Sequence, residues 1–353
     1  MSLKKLRKKI DTLDTKIISL LNERAKISLV IGKEKIKNKQ GIYSPNREKE
    51  ILDRIKALNK GPMSAEGLQA VYREIMSSSL SLEKDIDIAY LGPKASFTNM
   101  AAIKRFGSQV NYVSCDNISE VFRRVENGDC DYGVVPIENS IEGAVTHTFD
   151  ILVDSDLRIC SQILLEISHN LLSKNSMDRI KAIYSNPQVF GQCRHWLMNN
   201  LPKAELVEVS STTKAAQIAS EKKDSACIAS LLAAKEYGLK VVKEDIEDVA
   251  HNITRFLVLS REDVTPTGKD RTSILFSIKD KVGALHGMLA PFYKNKINLT
   301  KIESRPSKKK AWDYYFFVDL SGHRLDKNVL RALKELENKC KYLKILGSYP
   351  VLE

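Results

Sequence analysis

The sequence predicts a multidomain chain built in three styles: an all-α head, an α/β middle in two lobes, and a βαββαβ tail of ferredoxin-like order. Three observations carry this. A heptad run of apolar residues opens the chain. Short apolar strands then alternate with helical stretches. A polar linker with Pro and Gly at 263–270 precedes a last strand–helix–strand–strand–helix–strand pattern. At 353 residues the chain has room for two or three domains.

In the head, Leu3, Leu6, Ile10, Leu13, Ile17 and Leu20 follow the 3,4 spacing of a heptad seam. No Pro and only Gly32 occur before Gly41, so one helix is predicted over 3–37, about 50 Å long. An 85-residue monomer cannot cover such a helix, and an intertwined homodimer is expected. Pro45 opens a second helix over 46–59, the Lys-Gly-Pro at 60–62 ends it, and Ser64 caps a third that runs to about 84.

In the middle, strands are expected at 86–91, 110–114, 132–136, 180–184 and 254–260, with helices at 117–127 and 212–221 among those between them. In the tail, a strand follows residue 270, then a helix at 284–295, strands at 297–304 and 312–320, a helix at 326–339 and a strand at 342–347. The domains expected are 1–85, 86–262 and 271–353.

Composition narrows the function classes. Hydrophobic residues make up 43% and charged residues 28%, as in ordinary water-soluble proteins. No apolar run nears the ~20 residues that span a bilayer, and the first residues are charged, without an apolar signal core. A cytoplasmic protein with no membrane partner is expected. The six cysteines form no CxxC pair and the six histidines no HxxxH or HExxH cluster, so reduced thiols and no metal are expected. Of the +12 net charge, +10 falls in residues 1–60, which hold 17 Lys+Arg against 7 Asp+Glu. A basic head meets either nucleic acid or a small polyanion.

Continuing the seam past Leu20 brings Arg24 and Lys35 onto one helix face, three turns apart. They either reach out to water or line an anion pocket. Ser79 and Glu83 share a face of the third helix, and Arg47-Glu48 open the second. The run L-R-x-x-I-D-x-L-D, L-L-N-E-R-A, G-K-x-K, P-N-R-E and R-E-I-M-S-S-S-L-S-L-E over 3–83 resembles the all-helical chorismate mutases. The resemblance implies a dimer that rearranges chorismate to prephenate in basic pockets built from both chains. It implies Arg7 reaching in from the partner chain and Arg24 and Arg47 holding the two carboxylates. Lys35 and Glu83 would donate to the ether oxygen that breaks, and Glu48 and Ser79 would hold the hydroxyl and nearby polar atoms. A pericyclic step needs no nucleophile, only a compact conformer and donors aimed where charge develops.

Three stretches stand out in the middle: Pro136–Ser140 after a strand, Ser185–Cys193 at a strand-to-helix turn where Ser185 can cap the helix, and Asn252–Phe256 opening a strand. By spacing alone they read equally as turn, cap and edge residues. I-A-Y-L-G-P-x-x-S-F, G-V-V-P-I-E-N-S-x-E-G-A-V, Y-S-N-P-Q and N-x-T-R-F, in that order, resemble the prephenate dehydratases over 86–261. The resemblance implies two periplasmic-binding-like lobes with prephenate between them. Thr254 would protonate the departing hydroxide, Arg255 would hold a carboxylate or support its strand, and Ser96, Asn139, Ser185 and Gln192 would bind the substrate. Lys94–Thr98 departs from the usual G-T-F-S, with Ala95 in place of Gly.

In the tail, Gly283-Ala284-Leu285-His286 open the first helix and Glu303-Ser304-Arg305-Pro306 end the second strand, positions that also suit plain cap and strand-end residues. Together they resemble the phenylalanine-binding stretches of ACT domains, which implies feedback inhibition by phenylalanine. The expected partners are therefore chorismate, prephenate, phenylalanine and a second copy of the chain, with no cofactor and no nucleic acid. The competing readings are an amino-acid-sensing transcriptional regulator and a dehydratase that prefers arogenate.

Overall fold

The computed structural model describes residues 2–38, 41–278, 282–307 and 313–351. The chain divides into two compact units. The first holds residues up to Asp87 together with Arg105–Asn111, and the second holds Ile88–Lys104 and the chain from Tyr112 onward.

The first unit is three helices: α1 (Leu3–Lys37), α2 (Pro45–Leu58) and α3 (Ala65–Glu83), with α3 packed on both others. Local chemistry sets their ends. Ser44 accepts from the Arg47 N–H with Pro45 in the first turn, and Ser64 accepts from the Gly67 N–H. Gly32 is required where α1 meets α3. A Cβ there would sit 2.8 Å from Glu83 Cβ and 2.9 Å from its Cα. The seam Leu3, Leu6, Ile10, Leu13, Ile17 and Leu20 lies 44–64% exposed along α1. Nothing in composition foreshadows the contribution of 105–111. Ser108 donates to Glu74 from its hydroxyl (2.5 Å), and the Gln109 N–H donates to Ser77 Oγ (3.0 Å).

Past α3 the chain runs through β1 (Asp87–Leu91), α4 (Phe97–Phe106, its last two residues in the first unit), β2 (Asn111–Cys115), α5 (Ile118–Asn127), β3 (Tyr132–Asn139), β4 (Gly143–Ala144), α6 (Thr146–Asp154) and β5 (Arg158–Glu166), which apart from those two residues and the first residues of β1 and β2 belong to the second unit. A second group follows: β6 (Asn170–Ser173), β7 (Ala182–Ser185), α7 (Pro187–Gln192), α8 (Arg194–Asn200), β8 (Glu205–Glu208), α9 (Thr212–Glu221), β9 (Ser225–Ala229), α10 (Leu231–Tyr237) and β10 (Lys240–Lys243). Strand β11 (Ile253–Ser260) then returns to the first sheet. The two sheets run β2-β1-β3-β11-β5, with β4 on β3, and β10-β6-β9-β7-β8. The chain thus crosses twice between two α/β lobes. The α5 sequence shows why a helix forms there: Ile118, Val121, Phe122 and Val125 make one buried face, Asn117 caps the start, and Gly128 ends it in the left-handed region at φ 83°.

The tail is β12 (Asp270–Ser277), α11 (Ala284–Lys294), β13 (Leu299–Pro306), β14 (Tyr314–Ser321), α12 (Lys327–Glu337) and β15 (Tyr342–Pro350). Its antiparallel sheet runs β13-β14-β12-β15, the ferredoxin-like arrangement. Of the strand expected over 312–320, position 312 lies outside the described residues. One face of this sheet packs on α11 and α12 through Phe276, Met288, Phe292 and Leu336. The other face joins the core of the first lobe, where Leu275, Phe317, Leu346 and Tyr349 pack with Ile137, Phe149 and Leu257. Strands β15 and β5 come backbone to backbone at Gly347, where a Cβ would lie 2.7 Å from the Ile159 nitrogen.

Candidate active sites

The helical unit encloses an open cavity of about 630 Å3 whose lining includes Arg24, Lys35, Arg47, Glu48, Ser79 and Glu83. Lys35 Nζ donates to the Ile42 carbonyl (2.6 Å) and pairs with Glu83 Oε2 (2.9 Å). Arg24 donates to the Ser79 hydroxyl, which in turn donates to the Ile75 carbonyl (2.8 Å). So Arg24 and Lys35 turn inward rather than out to water. Arg47 lines the cavity but its guanidinium pairs at the surface with Glu50 (2.8 Å). Arg7 lies on the exposed part of α1 and is absent from the lining.

Among the cavity residues not singled out in the sequence, three join one cluster. Arg105 pairs with Glu48 (3.2 Å), Tyr43 donates to the same Glu48 oxygen (3.0 Å), and Phe106 packs on the Tyr43 ring. Tyr43 stands next to the quoted P-N-R-E run and could have been weighed. Arg105 and Phe106 lie outside the head and carry no local signal.

In the second unit, Asn139 ends β3, Thr254 is the second residue of β11, and the two are cross-strand partners. The Asn139 amide nitrogen donates to Thr254 Oγ1 (2.8 Å) and to Asn252 Oδ1 (2.6 Å). Its oxygen accepts from the Ile141 and Glu142 N–H groups (2.9 and 3.0 Å), which fixes the side chain. Because the Thr254 oxygen accepts from Asn139, the hydroxyl proton remains available to donate. Gln192 joins this network: its oxygen accepts from Asn252 (3.1 Å), and its nitrogen donates to Glu142 (3.0 Å).

His169, also not singled out, closes the network with Nε2 at 2.7 Å from the Gln192 oxygen. Burial lowers its pKa, against opposing contributions from Gln192 and Glu247, and Phe97 stands edge-on to its ring at 5.8 Å. A neutral imidazole here carries its proton on Nε2, facing Gln192. No periodicity announces an isolated buried histidine.

Three expected prephenate residues are not in this network. Ser96 donates to the Leu91 carbonyl (3.0 Å) and accepts from the Asn99 N–H (3.3 Å), a helix-capping arrangement. Beside it, Ala95 takes φ 66°, a conformation that suits glycine. Ser185 is fully buried and donates to the Ile228 carbonyl (2.9 Å). It does not cap the following helix; Asn186 does, accepting from the Gln188 N–H. Arg255 follows Thr254 on a strand whose alternate side chains face opposite ways. It pairs with Asp319 of the tail sheet (2.6 Å) and donates to Tyr349 Oη (2.8 Å), so the carboxylate it holds belongs to the protein.

In the tail, Gly283 stands at the N-cap of α11 with φ 73°, and Ala284, Leu285 and His286 form its first turn. Glu303 to Pro306 end β13, the edge strand, with Arg305 Nη1 3.9 Å from Glu303. Among the described residues, no cluster of His, Cys, Asp and Glu could hold a metal, and no helix is long and apolar enough to cross a membrane. The six cysteines are free thiols, five of them buried.

A helical unit with a charge-lined cavity, an α/β pair of lobes with a strand-end hydrogen-bond network, and a ferredoxin-like tail together define a multifunctional enzyme with a small-molecule sensing module. The chain matches the family models Chorismate mutase type II over 6–84, Prephenate dehydratase over 88–264 and ACT domain over 272–338. It is 50% identical to a bifunctional chorismate mutase/prephenate dehydratase of Aquifex aeolicus, covering 99% of this chain and 98% of that protein. Among solved structures, it is 34% identical to a prephenate dehydratase from Arthrobacter aurescens in complex with L-Phe, with TM-score 0.71, covering 75% of this chain and 90% of that one. It is also 26% identical, with TM-score 0.70, to GqqA, described as a quorum-quenching acylase, covering 75% of this chain and 98% of that one. A shared fold therefore leaves the chemistry to the site residues. The chain belongs to the family of bifunctional chorismate mutase/prephenate dehydratases.

Proposed function

We propose that the helical segment, 1–85, rearranges chorismate to prephenate, that 86–262 converts prephenate to phenylpyruvate, and that 271–353 senses phenylalanine and inhibits the pathway it ends. In the first site Arg24 and Arg47 hold carboxylates. Arg7 of a second copy completes the charge, and the exposed seam of α1 supports such a homodimer. Lys35 and Glu83 donate to the ether oxygen as its bond breaks, while Glu48 and Ser79 hold the hydroxyl and nearby polar atoms.

In the second site, loss of carbon dioxide from the ring supplies the electron pair that expels the hydroxyl and aromatises the ring. Thr254 donates to that leaving oxygen, and Asn139 and Gln192 orient the substrate. Ser96 and Ser185 support the site through the backbone they hold. Phenylalanine would sit against Gly283–His286 and Glu303–Pro306. The setting proposed is cytoplasmic.

The observation that carries the reading is the Asn139–Thr254 hydrogen bond, which leaves a threonine proton ready for a leaving group. The test is to supply purified protein with chorismate alone and follow chorismate loss and phenylpyruvate appearance, with and without phenylalanine. Phenylpyruvate that phenylalanine suppresses supports all three assignments. Accumulating prephenate removes the dehydratase, and unconsumed chorismate removes the mutase.

A further inference from the structure

Two cross-strand pairs of charges meet face to face inside the second unit. On the lobe sheet, Arg255 of β11 lies opposite Glu138 of β3, one step along from the Thr254–Asn139 pair. On the tail sheet, Lys301 of β13 lies opposite Asp319 of β14. Arg255 pairs with Asp319 at 2.6 Å, Lys301 pairs with Glu138, and Arg255 lies 3.7 Å from Glu138. Two positive and two negative charges thus close on one another, and the side chains of Arg255 and Asp319 are only 7% and 10% exposed.

A buried charge persists only with its partners, and such pairs fail steeply with displacement. The cluster therefore fixes the register of one sheet on the other. Further hydrogen bonds hold it: Ser273 donates to Asp319 (2.5 Å) and Arg255 donates to Tyr349 (2.8 Å), while Arg255 Nε is buried without a hydrogen-bond partner. Burial works against the charge on Arg255, yet Tyr349 and Asp319 hold its pKa above the ordinary value, while burial pushes Tyr349 up to about 12.

Each end of the cluster adjoins something functional. Glu138 and Arg255 are the chain neighbours of Asn139 and Thr254. Lys301 is two residues before Glu303 on the same strand, and so on the same face. We propose that Glu138, Arg255, Lys301 and Asp319 form the positioning device through which the sensor sheet sets the Asn139–Thr254 pair, and that a shift of β13 on binding phenylalanine acts through it. This rests on the dehydratase reading above. The four side chains are assigned to positioning rather than to substrate contact. They hold the two strand ends whose opposite faces carry the site.

The test uses the full chain with Lys301→Met, Lys301→Arg and Asp319→Asn, reading prephenate turnover, KM and the phenylalanine concentration for half inhibition. Tryptophan fluorescence melts report folding of the second unit. Lys301→Met and Asp319→Asn are expected to lower kcat about tenfold with little change in KM, and to raise the half-inhibiting concentration about tenfold. Lys301→Arg keeps the charge and should stay near the unchanged chain on both. If Asp319→Asn does not fold, the Lys301 pair decides. A folded Lys301→Met with unchanged kcat and unchanged inhibition overturns the proposal, as does a loss that Lys301→Arg shares equally. Absence of turnover in the unchanged chain sinks the dehydratase reading itself, a result distinct from any variant-specific loss.

Discussion

The two proposed sites solve opposite problems with opposite materials. The helical cavity presents formal charges: Arg24, Lys35, Arg47, Glu48 and Glu83, held on helices, with Lys35 paired to Glu83 and Glu48 to Arg105. The strand-end site presents mostly neutral groups: two asparagines, a glutamine and a threonine hydroxyl in one chain of hydrogen bonds that ends on the Glu142 carboxylate. A rearrangement that moves charge within one small molecule calls for fixed counter-charges. Expulsion of a hydroxyl calls for one proton in the right place, with its donor oriented by groups that do not compete for it. In the first site electrostatics dominates, and in the second the order of donors and acceptors does.

Replacing the donor breaks that contrast most sharply. Thr254→Val keeps the volume of the side chain and removes the hydroxyl. Prephenate turnover should fall roughly 10²–10⁴-fold, the range of a positioned acid, while chorismate consumption is unchanged. Chorismate fed to this variant should pile up as prephenate. If phenylpyruvate still forms at the original rate, Thr254 is not the donor.

The charged site is expected to break through geometry. Gly32→Ala puts a methyl 2.8 Å from Glu83 Cβ, and α3 must give way. A shift of about 1 Å in a catalytic group costs on the order of 10²-fold, so mutase turnover should drop by that scale with the dehydratase unaffected. Unchanged mutase kinetics would mean that Glu83 tolerates displacement and is not a directed donor. Glu83→Gln sharpens the same point. An amide of the same shape keeps an N–H donor, so mutase turnover should persist in this variant, and its loss would remove Glu83 from the donor role.

How far the sequence alone reached differs between the two sites for physical reasons. The α1 helix was readable because its heptad seam and lack of Pro are local signals, and Ser64 caps α3 as its chemistry demands. Strand β9, Ser-Ala-Cys-Ile-Ala, was missed because it is buried along its whole length and shows no alternation. Strands β5, β6, β8 and β10 were likewise not anticipated. Thr254 and Asn139 stood out as motif residues, but the face each would take did not. Arg255 faces the tail sheet because neighbours on a strand point apart, and which face meets the substrate is settled only by tertiary packing. Arg105 reaches Glu48 from a segment with no local mark of that role.

The smallest expected effect tests the neutral character of the second site. Burial lowers the pKa of His169, so below the ordinary histidine value of about 6.5 the unfolded chain takes up a proton that the folded chain refuses. Stability then rises with pH wherever the unfolded state binds more protons, so the contribution is present above that value and is lost as pH falls toward the folded pKa. The loss per pH unit cannot exceed about 1.4 kcal/mol for one group. Trp196 lies in the second unit and residues 1–111 hold no tryptophan, so fluorescence during urea unfolding reports the second unit and not the first. The urea midpoint should fall between about pH 6.5 and 5.5, and His169→Gln, which can still donate to Gln192 without taking up a proton, should flatten that fall. An equal fall in both proteins would place the acid sensitivity elsewhere and leave His169 with no part in keeping the network neutral.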